Sequence, residues 1–211
     1  MLNNQKRAFF KGSFLYCHSE LTSLSPNFTF HAKILIMNIT AGKFKGQKII
    51  APDENITRPT LSKVRMSVFN TLQAMIEFEG KSFLDMYAGS GIMGLEALSR
   101  GFSSIVMLEK NKKVYNVIKS NLKKYEQDND IKLFLGDSLK ICEKFNKTFN
   151  IVYIDPPYFS GVYENSLVAA KKICDEIIIL EHVVDLDLSE YEVLKQKKYG
   201  DKFITFINAS C

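Results

Sequence analysis

The sequence is poor in the residues that build metal sites and disulfide frameworks. It has four cysteines, Cys17, Cys142, Cys174 and Cys211, and no two of them form a C-x-x-C pair. Only three histidines occur, His18, His31 and His182, far apart along the chain. Ligand pairs at metal-binding spacing are therefore missing, which argues against a metal module and against a secreted disulfide scaffold. Scattered thiols and lone histidines read as ordinary core or surface residues, and free thiols suit a reducing cytoplasm. No apolar run is long enough to span a bilayer. The longest, around residues 177–180, reads as a buried strand. Internal repeats and low-complexity tracts are absent too.

What is present suits a soluble globular protein: 46% of residues are hydrophobic and 24% charged. The length fits one domain with a sizeable core plus a small appendage. The formal net charge of +5 is unevenly spread. Residues 1–36 carry Lys6, Arg7, Lys11 and Lys33 against Glu20. Residues 37–66 carry Lys43, Lys45, Lys48, Arg58, Lys63 and Arg65 against Asp53 and Glu54, and the rest is net acidic. A basic patch ahead of the main domain can meet phosphates, although charge alone fits a solvated face equally well.

Three segments are expected. Residues 1–36 have no clear periodicity and lack the apolar core and cleavage site of a secretory signal. They read as an extension, and Met37 is an alternative start. Residues 37–80 read as a β-hairpin around Gly42 and Gly46, a loop bracketed by Pro52 and Pro59, and a helix. That helix is capped at residues 60–62 and runs to about residue 78, with Val64, Val68, Leu72, Met75 and Ile76 at helical spacing. Residues 81–211 alternate strand and helix. Strands are expected at 82–86, 104–109, 131–135, 150–154 and 176–180, with helices at 92–100, 111–125, 138–145 and 160–172. Two closing strands at 191–195 and 202–208 form an antiparallel hairpin. This pattern predicts an α/β fold with a mostly parallel sheet, ligands binding at the carboxyl ends of its strands. The helix at 111–125 carries five lysines, but its stripe of Val114, Val117, Ile118 and Leu122 explains it as core-facing.

The first strand–helix junction contains Asp85, Ala88, Gly89, Ser90, Gly91 and Gly94, so the glycines form G-x-G-x-x-G. Glu109 ends the next strand and Lys110 follows it. The pattern alone serves a dinucleotide or S-adenosyl-L-methionine, because both need backbone close to the ligand and an acid for ribose hydroxyls. Asp85 separates the two. A pyrophosphate beside it would be repelled, whereas an ammonium and a sulfonium would be attracted. Asp137 and Ser138 open the loop after the third strand of the domain, and Asp137 can meet the adenine amino group or cap the following helix.

The fourth strand of the domain runs into Asp155-Pro156-Pro157-Tyr158. The amino group of a nucleobase is a poor nucleophile, because its lone pair is delocalised into the ring. Two acceptors can orient its hydrogens: the Asp155 carboxylate and the Pro156 carbonyl. The prolines fix φ and add no competing N–H donor. Tyr158 can stack on the base, worth about 1–3 kcal/mol. The target base must be unpaired or flipped out, which RNA loops and bulges permit.

With these motifs the chain resembles the RsmD-type methyltransferases, which methylate N2 of a guanine in bacterial 16S rRNA. The resemblance runs from about Met37 to Ala209. It rests on Ala41-Gly42-Lys43-Phe44-Lys45-Gly46, Thr57-Arg58-Pro59-Thr60, Val64-Arg65, the Asp85 to Gly94 loop, Glu109-Lys110 and Asp155-Pro156-Pro157-Tyr158. Tyr87 stands where the family commonly has Phe. The resemblance implies a class I methyltransferase fold with a seven-stranded sheet, and Lys43, Lys45, Arg58, Thr60, Arg65 and Tyr158 on the RNA side. It implies a monomer acting on 16S rRNA within the small ribosomal subunit or an assembly intermediate, with no membrane and no metal. An adenine-N6 methyltransferase would share both motifs but would need a larger target-recognition domain. A glutamine-amide methyltransferase typically carries Asn before Pro-Pro-Tyr. A non-catalytic RNA-binding module is disfavoured by the intact acids Asp85, Glu109 and Asp155, and a nicotinamide oxidoreductase by Asp85 and the Asp-Pro-Pro-Tyr motif.

Overall fold

A computed structural model describes residues 35–52, 62–157 and 161–210. Strands β1 (Ile36–Asn38) and β2 (Lys48–Ile50) form an antiparallel pair. Helix α1 (Ser62–Gln73) precedes β3 (Ser82–Asp85), α2 (Ile92–Ser99), β4 (Ser104–Glu109), α3 (Lys112–Leu122) and β5 (Asp130–Leu135). Then come α4 (Ser138–Cys142), β6 (Phe149–Ile154), α5 (Val162–Lys171), β7 (Cys174–His182), β8 (Val193–Tyr199) and β9 (Lys202–Asn208). The seven-stranded sheet has the order β5-β4-β3-β6-β7-β9-β8. From β5 to β7 every pairing is parallel, and β9 runs antiparallel to both β7 and β8. The expected α/β class I architecture with a closing antiparallel hairpin is therefore present, and strand order reverses between β3 and β6.

The central strands bury both faces, as parallel strands flanked by helices must. Phe83, Ile105, Met107, Ile151, Tyr153, Ile177 and Ile179 face α1, α2, α3 and the β1–β2 pair. Their neighbours Leu84, Val106, Leu108, Val152, Ile154, Ile178 and Leu180 belong to the core on the opposite face, with Leu167 and Ala170 of α5. Strict alternation in side-chain direction sorts the apolar runs into these two cores. The thiols of Cys142 and Cys174 lie in the second core, where burial pushes both up to about 12. His182 is buried with partners on both ring nitrogens, the Val184 carbonyl at 2.7 Å and Thr205 Oγ1 at 2.9 Å.

The β1–β2 pair is bolted to α2 by one carboxylate. Glu96 is fully buried and accepts from the Thr40 and Ala41 backbone N–H groups, the Thr40 hydroxyl and Arg100 Nε. Arg65 lies 3.9 Å from the same carboxylate and donates to the Asn38 carbonyl at 2.8 Å. Beside it Gly42 adopts φ +80°, and a Cβ there would fall 1.8 Å from the Ser99 carbonyl oxygen, so only glycine fits this turn.

These contacts explain where element boundaries depart from expectation. The β-rich run 38–41 predicts a strand to residue 41, but β1 ends at Asn38 because Thr40 and Ala41 give their N–H groups to Glu96 instead of a strand partner. Helix α1 ends at Gln73, short of residue 78: Met75 and Ile76 N–H both return to the Leu72 carbonyl. The chain then turns so that Phe78 stacks on Phe102 at 4.6 Å. In α3, Asn111 accepts from the Lys113 and Val114 N–H groups as an N-cap, Val114, Ile118 and Leu122 are buried, and the lysines stay exposed.

Candidate active site

A cleft of about 620 Å³ opens at the carboxyl ends of the parallel strands, a size that suits a cofactor-sized ligand. Asp85, Ala88, Gly89, Ser90, Glu109, Lys110, Asp137, Ser138, Asp155, Pro156 and Pro157 all line it. The site residues expected from β3, β4, β5 and β6 thus converge where strand order reverses, as the general rule for such sheets requires. Gly91 lies just behind the lining at φ +75°, where a Cβ would meet Ile118 Cγ2 at 2.9 Å. Tyr158, Arg58 and Thr60 lie outside the described residues.

Asp85 ends β3 and is 1% exposed. Its Oδ1 accepts from the Tyr87 N–H at 3.3 Å, while buried Oδ2 has no hydrogen-bond partner among the described residues. Burial, with Asp155 and Glu109 nearby, raises its pKa to about 8. An unsatisfied buried carboxylate oxygen lining a cleft is costly, and a cationic ligand group would satisfy it. Glu109 is held by two backbone donors, Gly89 N–H to Oε2 at 3.1 Å and Asn111 N–H to Oε1 at 2.7 Å. Its burial raises the pKa despite these bonds.

Asp137 does two things visible in the structure. It accepts from Lys140 N–H as the N-cap of α4, and it pairs with Lys110 at 3.0 Å, which draws its pKa down. The buried Ser138 hydroxyl donates to the Met86 carbonyl at 2.5 Å and so ties α4 to the exit of β3. Ser90 Oγ accepts from Ile92 N–H at 3.4 Å at the start of α2. The hydroxyl of Tyr87 has a partner, Ser166 Oγ of α5, at 2.7 Å, so its extra oxygen links the glycine loop to the helix beyond the Asp-Pro-Pro segment.

The expected RNA-side residues divide. Lys43 and Lys45 are exposed on the turn that meets the C-terminal end of α2, and neither lines the cleft. For Arg65 the expectation of an RNA contact is corrected: it is 1% exposed and serves the Glu96 cluster. An arginine so deeply buried holds α1 to the first strand and cannot reach a phosphate.

Sequence reading missed Tyr153, Glu181 and Lys202. Tyr153 and Lys202 line the cleft. Fully buried Glu181 accepts from the Tyr153 hydroxyl at 2.8 Å and from the Lys202 ammonium. The available signal was strand alternation, which puts Tyr153 on the same face as Asp155, together with a glutamate at the end of an apolar strand.

The family model described as "Conserved hypothetical protein 95" matches residues 37–208. The Bacillus subtilis protein YlbH, described as an rRNA methyltransferase, is 33% identical over 73% of this chain and 86% of its own. The ribosomal RNA small subunit methyltransferase D of Buchnera aphidicola (from Acyrthosiphon pisum) is 32% identical over 67% of this chain and 73% of its own. A solved Escherichia coli protein described as a methyltransferase, yhhF, superposes with a TM-score of 0.72 at 26% identity, covering 82% of this chain and 97% of that one. With the glycine loop, its two acids and the Asp-Pro-Pro segment gathered in one cleft of this fold, the chain belongs to the RsmD-type methyltransferase family.

Proposed function

We propose that the protein is an rRNA methyltransferase that uses S-adenosyl-L-methionine to methylate the exocyclic N2 of a guanine in 16S rRNA. One observation carries this reading: Asp85 and the Asp155-Pro156-Pro157 segment leave neighbouring strands of the sheet and line the same cleft. This adjacency supports reading the cleft as a cofactor site beside an amino-group site. The names of the relatives supply the ribosomal substrate.

The residues present fit the cofactor. Asp85 Oδ2, without a hydrogen-bond partner among the described residues, is an acceptor for an ammonium group, and the Glu109 carboxylate, already oriented by Gly89 and Asn111, is an acceptor for ribose hydroxyls. Asp137 and Lys110 border the adenine end. When bound, S-adenosyl-L-methionine supplies an electrophilic methyl group on its sulfonium. The chain does the rest by positioning and electrostatics. Asp155 and the Pro156 carbonyl accept the two amino hydrogens, aim the nitrogen and stabilise the positive charge it develops. Asp155 can hold the released proton. Tyr158 stacks on the flipped base, and Lys43, Lys45, Arg58 and Thr60 meet the RNA. The work is done by a cytoplasmic monomer on the small subunit or an assembly intermediate. Among the described residues no helix is long and apolar enough to cross a membrane.

The test is methyl transfer from labelled S-adenosyl-L-methionine to small subunits from cells lacking the enzyme, followed by mapping of the modified base. Label on N2 of a 16S rRNA guanine is expected. Label on DNA, protein or another base contradicts the assignment.

A further inference from the structure

The charged side chains lining the cleft are four acids, Asp85, Glu109, Asp137 and Asp155, and two lysines, Lys110 beside Glu109 and Lys202, which enters from the far side. Lys202 is the first residue of β9, directly after the tight Gly200-Asp201 turn that pairs Tyr199 with Lys202. Its side chain is 16% exposed, lines the cleft and pairs with fully buried Glu181 of β7. Glu181 is in turn held by the Tyr153 hydroxyl from β6 at 2.8 Å. Tyr153, Glu181 and Lys202 fall on one face of the sheet, because each lies an even number of residues from the register pairs Tyr153↔Ile179 and Ile179↔Phe206. Asp85, which pairs with Tyr153, shares that face.

The strand order β3-β6-β7-β9 sets the distances. Lys202 starts two strands beyond Asp155 and three beyond Asp85, about 10 Å and about 14 Å of sheet width at the usual strand spacing. Glu181, on the strand next to β6, draws the ammonium back toward Asp155. The cation therefore sits in the half of the cleft beyond Asp155, away from the Asp85 and Glu109 half. A fixed ammonium there presents N–H donors and no acceptor. It suits a ligand atom that can only accept a hydrogen bond.

We infer that Lys202, positioned by Glu181 and Tyr153, donates to the carbonyl oxygen at C6 of the methyl-accepting guanine and so selects guanine. This rests on the guanine-N2 reading above. With the 2-amino group held at Asp155, the N1–H and then the C6 oxygen follow along the same edge of the ring. That edge would extend over β7 toward the ammonium. Adenine carries an amino group at C6, which offers donors to a donor, so the same contact rejects it. Discrimination of this kind is strong because the wrong base sets its own donors against an N–H of a largely covered ammonium whose Glu181 partner holds it in place.

The test combines an altered base with an altered enzyme. Small subunits are reassembled with 16S rRNA that carries, at the mapped target, either guanine or 2-aminopurine, which keeps the 2-amino group and lacks the C6 oxygen. Since removing Lys202 alone would strand Glu181 and endanger folding, the variant used is Lys202→Met with Glu181→Gln. Wild-type kcat/KM is expected to fall roughly 10–100-fold on 2-aminopurine, the range of a charged hydrogen bond. The double variant is expected to lose a similar factor on guanine and to treat the two bases within about threefold of each other. Its affinity for S-adenosylhomocysteine should be unchanged. Full discrimination retained by the double variant overturns the inference while leaving the guanine reading intact. Loss of S-adenosylhomocysteine affinity would place the ammonium on the cofactor and also overturn it. Wild-type label on a base other than guanine overturns the underlying reading, and the inference with it.

Discussion

The Gly89 backbone N–H donates to Glu109 Oε2 at 3.1 Å, joining the glycine turn to the end of the adjacent strand. With Asn111 N–H on Oε1, the carboxylate is fixed before any ligand arrives. Glu109→Ala removes both proposed ribose acceptors and also the anchor of the glycine turn. Its affinity for S-adenosylhomocysteine is expected to fall roughly 10–100-fold, the range of one or two charge-assisted hydrogen bonds. Isothermal titration calorimetry checks this, and unchanged affinity in both Glu109→Ala and Asp85→Ala contradicts the loop assignment.

Burial of the Asp85 carboxylate costs stability. Its folded-state pKa of about 8 lies above the ordinary 3.8. Between those values the folded protein binds the extra proton, so Asp85's contribution to stability is fullest below about pH 4 and is lost as pH rises toward 8. Asp85→Asn removes this liability without changing shape. At about pH 8 the cofactor-free variant should melt above wild type, by roughly 2–4 °C for each kcal/mol recovered, while binding S-adenosylhomocysteine more weakly. A lower melting temperature at that pH, measured by calorimetry, contradicts the assigned cost of burial.

The same titration shapes cofactor affinity. Only the Asp85 carboxylate form pairs with an ammonium, and below a pKa of about 8 that form grows with pH. S-adenosylhomocysteine affinity should therefore rise from about pH 6 to about pH 8, by at most tenfold per pH unit. In Asp85→Asn the slope should vanish. An identical slope in both proteins would assign the titration elsewhere.

Glu96 is the shared carboxylate of Arg65 and Arg100 and accepts two backbone N–H groups of the β1–β2 turn. Glu96→Ala removes the anion from a buried charged cluster and should cost about 3–5 kcal/mol. Urea denaturation measures the loss. Hydrogen exchange should localise it first to residues 36–50, and uniform loss of protection across the sheet would contradict the hairpin's dependence on this one residue.

Much of this architecture was legible because its signals are local. Apolar runs such as residues 151–154 alternate between two cores, glycines mark a turn at Gly89 and Gly91, and acids end β3 and β4. Each can be read from a few neighbouring residues. Arg65 was misjudged because its partners, Asn38 and Glu96, are distant in sequence, and nothing near Arg65 signals a buried anion. The end of α1 was misplaced because helical spacing persists through Met75 and Ile76 after the backbone has turned to deliver Phe78 to Phe102. Lys202 escaped notice for a related reason. A lysine beside a tight turn looks like a solvated residue until the strand order sets it against Glu181, two strands from Asp155.

The most direct test of the account separates binding from chemistry at Asp155. Asp155→Ala should lower methyl transfer to the small subunit by at least about 100–1,000-fold, the usual loss when a positioned charge-stabilising group is removed. S-adenosylhomocysteine affinity, which the proposal assigns to Asp85 and Glu109, should stay within about threefold of wild type. Transfer that survives the substitution, or transfer lost only in step with cofactor affinity, would contradict the role of Asp155 as the acceptor that holds the target amino group.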